Sequence, residues 1–75
     1  MRTLKQIALE INDDWTNINA YALPYLNAMY ELESINDSYY HDSAKSVVLY
    51  FLSNATTWKG ETAREIKKEL KKLCQ

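Results

Sequence analysis

One glycine, one proline and one cysteine in 75 residues leave this chain little material for tight turns and remove several chemistries outright. Phosphate-cradling loops need several glycines so that backbone N–H groups can approach the anion. With Gly60 alone, both the P-loop and the dinucleotide fingerprint are excluded. Structural zinc takes four ligands, mostly Cys and His. Cys74 and His41 are the only residues of those types, so no metal and no other cofactor is expected. No apolar run approaches the roughly 18 residues of a membrane span. The opening stretch, MRTLKQIALEINDDW, turns acidic before a signal peptide's apolar centre can form. The expected location is therefore the cytoplasm, with no membrane partner. Cys74 has no intramolecular partner and reads as an inert, exposed thiol in a reducing compartment.

What the chain has is apolar and aromatic content. Hydrophobic residues make up 47% of it, too many for a disordered segment. So few turn formers favour a few long elements, helices rather than hairpins. A single domain spanning 1–75 is expected, with a core small enough that its stability depends on good packing.

The apolar spacing predicts four helices, over approximately 3–15, 20–33, 43–55 and 58–73. Thr3 caps the first, with Gln6 three residues on as in a capping box. Leu4, Ile7, Ala8, Ile11 and Trp15 form its stripe, and the adjacent Asp13 and Asp14 oppose the helix dipole near its end. The second opens at Asn19 or at Pro24, with Leu23, Leu26, Met29 and Tyr30 on one side. Residues 33–41 read as a loop. Asp42 or Ser43 caps the third helix, where Ala44, Val47, Val48, Phe51, Leu52 and Ala55 keep the helical period. Leu49 and Tyr50 add apolar surface beyond that stripe, which predicts a central, well-covered helix. The fourth opens at Thr57 or is capped by Gly60, with Trp58, Thr62, Ile66, Leu70 and Leu73 as its seam. Glu65–Lys68 and Glu69–Lys72 are expected supporting pairs. The expected fold is all-α, a small antiparallel bundle of three to four helices.

No catalytic constellation emerges. His41-Asp42-Ser43 holds the residue types of a hydrolytic triad, but neighbours in sequence cannot adopt its geometry. Asp13 and Asp14 diverge by about 100° on a helix and do not face one another. The chain is not expected to be an enzyme, and no catalytic residue is assigned.

Binding is the better-supported class. Six tyrosines and two tryptophans stand out in a chain this short. Trp15, Trp58, Phe51 and Tyr50 read as core. Tyr39 and Tyr40, adjacent in a polar loop, are the candidate protein-contact residues, since exposed tyrosines anchor interfaces. Charge is split as well. Residues 1–57 carry three basic and seven acidic side chains; residues 58–75 carry six and three. Lys59, Arg64, Lys67, Lys68, Lys71 and Lys72 form a candidate basic face. Paired with the preceding helix it suggests a helix-turn-helix-like DNA-binding regulator. Glu61, Glu65 and Glu69 weigh against that, because they run along the same helix. The opposed charges also admit a homo-oligomer, the basic tail of one copy meeting the acidic body of another.

The stretches Pro24-Tyr25-Leu26, Ile35-Asn36-Asp37 and Ala55-Thr56-Thr57-Trp58-Lys59-Gly60-Glu61 resemble a family of small uncharacterised proteins encoded by phages, prophages and integrative elements of Gram-positive bacteria. The likeness covers most of the chain and is sharpest at Trp58–Glu61. It implies a mobile-element accessory protein in the bacterial cytoplasm that binds a host or phage protein. Inhibition or modulation of a host defence protein is one activity of that class. The family supplies no functional residues to carry over.

Overall fold

Thr3 opens the first helix, α1 (Leu4–Asp14), and the capping box expected there is present. The Gln6 N–H donates to Thr3 Oγ1 at 3.0 Å, and the Thr3 N–H donates to Gln6 Oε1 at 2.8 Å. The computed structural model describes residues 2–39 and 42–75, and of Tyr39 only the backbone. The remaining elements are α2 (Leu23–Met29), a two-residue antiparallel pair β1 (Ser38–Tyr39) and β2 (Asp42–Ser43), α3 (Ala44–Ser53) and α4 (Glu61–Leu73). The fold is a small all-α bundle, as the periodicity predicts.

Each boundary has a local cause. Asn19 starts the turn into α2, its carbonyl accepting from the Ala22 and Leu23 N–H groups and its side chain from the Tyr21 N–H at 2.9 Å. Pro24 then sits within the first helical turn, where a missing N–H is tolerated. Past Met29 the chain tightens to i→i+3 hydrogen bonds at Glu31 and Leu32, so α2 is half the predicted length. The following loop is organised by Asp37, whose carboxylate accepts from the Glu33 and Ser34 N–H groups and whose carbonyl accepts from the Ala44 N–H. Ser43, not Asp42, caps α3, accepting from the Ser46 N–H at 3.1 Å.

Gly60 caps α4 at φ 117°, a backbone conformation in which a side chain is strained. The helix therefore begins at Glu61, three residues later than the seam from Trp58 suggested. Trp58 lies in the connection, yet it is buried.

Neighbouring helices run antiparallel. The N–H groups of Leu4 and Lys5, unpaired within α1, donate to the carbonyls of Glu33 and Leu32 just beyond α2. Arg2, before α1, pairs with Glu69 near the end of α4. Both α2 and α4 pack on α1 and α3. The core between them joins Leu4, Ile7 and Ile11 to Leu26, Met29, Val48, Phe51, Ile66 and Leu70. Trp15, Phe51 and Trp58 form its aromatic centre. The two indoles stack at 5.6 Å, and Phe51 meets each of them edge-on.

Three expectations are corrected. Tyr50 is not core: it is 53% exposed, and Leu49 is 45% exposed. They lie off the buried stripe of α3, Tyr50 half exposed at its edge with α2, so α3 is not enclosed all round. Cys74 is not an exposed thiol but is only 8% accessible. It lies four residues after Leu70, on the same buried row, and burial raises its thiol pKa while Lys45 opposes the shift. Glu69 pairs with Arg2 rather than with Lys72.

Candidate functional site

The exposed charge of α4 sorts by side. At roughly 100° per residue, Arg64, Lys67, Lys68 and Lys71 fall on one flank of the helix and Glu65 and Glu69 on the other. Glu61 and Lys72 stand on the crest between them, at opposite ends of the helix. The buried seam of Ala63, Ile66 and Leu70 faces the core. Glu65 and Glu69 are thus set apart from the basic flank in space, although they alternate with the lysines in sequence; Glu61 stays at the edge of that flank, in the first turn.

The two flanks have different surroundings. On the acidic flank, Arg2 bridges Glu10 at 2.6 Å and Glu69 at 2.5 Å, holding α1 against α4. These hydrogen bonds raise the guanidinium pKa further above its already high value. On the basic flank lies a shallow open depression of about 830 Å³. Its lining includes all six residues of the candidate basic face, and no acidic side chain. Residues 58–60 wall one end.

Trp58 and Lys67 fix this end of the depression. The Trp58 indole N–H donates to Asp14 Oδ2 at 2.9 Å, tying the connection to the end of α1. Lys67 Nζ donates to the Trp58 carbonyl at 2.6 Å and lies 5.8 Å from the indole centroid. Its pKa is lowered, first by burial and then by the neighbouring charges of Lys71 and Lys59.

The helix-turn-helix expectation meets a different geometry. α3 and α4 are separated by residues 54–60, a longer connection than the 3–4 residues of that motif. Phe51, near the end of α3, packs on Trp58, just before α4. Lys45, at the start of α3, is close enough to Cys74, just past the end of α4, for its charge to act on the thiol, so the two helices run antiparallel.

Of the candidate protein contacts, Tyr40 lies outside the described residues, as does the side chain of Tyr39. The backbone of Tyr39 pairs with Asp42 in the short hairpin. A second aromatic surface was not foreseen. Tyr25 of α2 stacks on Tyr50 of α3, with ring centroids 5.4 Å apart and planes at 26°. Leu23, Leu49 and Tyr21 are exposed on and beside the same two helices, Tyr21 to 77%. The available sequence signal was the excess of α3 apolar residues over what one buried stripe can use.

Among the described residues, no group of His, Cys, Asp and Glu could hold a metal ion, and no helix is long and apolar enough to cross a membrane. No family model, curated protein or solved structure matches the chain.

Proposed function

We propose that this chain is a non-catalytic binding protein, an accessory of a phage or mobile element, which docks on a protein partner in the cytoplasm of its bacterial host. The observation that carries the reading is the Tyr25–Tyr50 stack across α2 and α3, with Tyr50 left half exposed at the surface. Tyrosine pairs a large, stiff apolar area with a polar tip, which suits it to interface anchors. Stacking orders the two rings before any partner arrives, so less side-chain freedom is lost on binding. The partner's chemistry follows: an apolar pocket rimmed by hydrogen-bonding groups. Inhibition or modulation of a host defence protein is the biological role this proposal favours, by analogy with accessory proteins of the resembled kind.

The test compares the wild-type chain with Tyr50→Ala and Tyr21→Ala variants as baits in host lysate. Both substitutions are on exposed side chains and should leave the fold intact. The expected result is a protein retained by wild type and lost from both variants. Equal retention by all three baits, or retention of no protein, would refute this assignment.

A further inference from the structure

The basic flank of α4 has a chemistry independent of the tyrosine surface. It faces away from α2, because α1 and α3 lie between α2 and α4. Six cations line one depression with no acid among them, in a chain whose net charge is −1. Arg64, Lys68 and Lys72 form one row at four-residue spacing, and Lys67 and Lys71 form a second beside it. At 1.5 Å per residue, the rows extend about 12 Å along the axis. Lys67 is held by the Trp58 carbonyl, and its neighbours Lys59 and Lys71 repel it. An anion seated here would relieve that repulsion.

We infer that this flank binds the phosphate backbone of double-helical DNA, without reading its sequence. Three observations select that occupant. A folded acidic protein would need an apolar anchor at the centre of the contact, but the apolar residues lining this depression, Trp58 and Ala63, are 2% and 1% exposed. Single strands are held on exposed aromatic platforms, and the Trp58 ring is covered. The charge is also one-sided. With Glu65 and Glu69 on its other flank and Glu61 at its crest, α4 lying in a groove would set carboxylates against the opposite strand. The helix therefore runs alongside one strand, meets phosphates with lysines acting as point charges, and reaches no base edges.

The test is a fluorescence-anisotropy titration of the full chain with a labelled 20-base-pair DNA duplex of arbitrary sequence, at 50 and 200 mM KCl. With about four to five phosphates contacted, affinity should fall about 10²–10³-fold between the two salts. A second duplex of unrelated sequence should bind equally. Arg64→Glu combined with Lys68→Glu should weaken binding at least tenfold at 50 mM and flatten the salt dependence, whereas Lys5→Glu on α1 should not. Circular dichroism checks each variant. If the double variant does not fold, the single neutral change Lys72→Gln takes its place and should lower the salt slope. The inference is overturned by absence of binding at 50 mM KCl, or by a folded double variant that binds like wild type. Tighter binding of oligo-dT than of duplex overturns it too. So does displacement of the duplex by poly-glutamate more readily than by unlabelled duplex, which would make the occupant an acidic polypeptide. Loss of DNA binding in the double variant with the tyrosine-dependent partner still retained would separate this inference from the proposed function.

Discussion

The indole N–H of Trp58 donates to the carboxylate of Asp14, 44 residues earlier in the chain, at 2.9 Å. That bond closes the end of α1 onto the connection between α3 and α4, and the stacked Trp15 lies beneath it. Three of the four residues of the Trp58-Lys59-Gly60-Glu61 tract therefore have a structural account. Trp58 fills the core and bonds to α1, Gly60 turns the chain, and Glu61 starts α4.

Asp14→Ala should destabilise the domain by about 1–2 kcal/mol, because it leaves a largely buried donor without its partner. For a domain of this size that corresponds to a fall in melting temperature of roughly 4–16 °C. Thermal denaturation followed by circular dichroism measures it. An unchanged melting temperature would mean that solvent replaces Asp14 without loss.

Gly60→Ala should cost about 1–3 kcal/mol through backbone strain alone. A Cβ placed at Gly60 meets nothing within 4 Å, so steric crowding contributes none of it. Urea denaturation should show a lower midpoint with an unchanged slope.

Phe51 and Tyr50 are adjacent on α3 and should respond oppositely. Phe51 is fully buried between the two indoles, so Phe51→Ala should cost about 3–5 kcal/mol and unfold much of so small a domain. Tyr50→Ala should stay within about 1 kcal/mol of wild type, the part lost being its stack on Tyr25. Paired melting curves distinguish the two.

Alkaline pH should weaken the fold through Cys74 and Tyr30, whose pKa values are both raised by burial. Each is held neutral in the folded state and ionises first in the unfolded chain. Their effect is absent at neutral pH, and stability is lost as pH rises above about 8.5 for the thiol and about 10 for the phenol. Lys67 acts in the opposite sense, since its lowered pKa makes deprotonation easier in the folded state. In Cys74→Ala the decline between about pH 8.5 and 10 should be shallower, as read from urea midpoints across that range.

Local signals in the sequence were strong where one short stretch determines the outcome. The Thr3–Gln6 box, the Ser43 cap and the Gly60 break each satisfy helix ends with nearby groups, and all three are legible from residue type and spacing. Long-range pairings were not. Nothing in the sequence announces that Arg2 will take Glu69 from Lys72, or that Trp58 will leave the helix to reach Asp14. Two misreadings had signals that were available. Residues four apart drift by about 40° around a helix, so Glu65 and Glu69 move to one flank and leave the other to Arg64, Lys67, Lys68 and Lys71, while Glu61 stays at the crest as the spacing suggested. Cys74 likewise extends the row of Ile66 and Leu70 by one more turn and follows them inward.

The burial of Cys74 has a practical consequence. It is the one thiol in the chain, and its own N–H closes the last turn of α4 onto Leu70 and Lys71. A thiol reagent can reach it only when that turn opens, so the modification rate clocks the fraying of α4. Set beside the global unfolding rate, it tells whether the helix that carries the basic flank comes loose by itself or only with the whole domain.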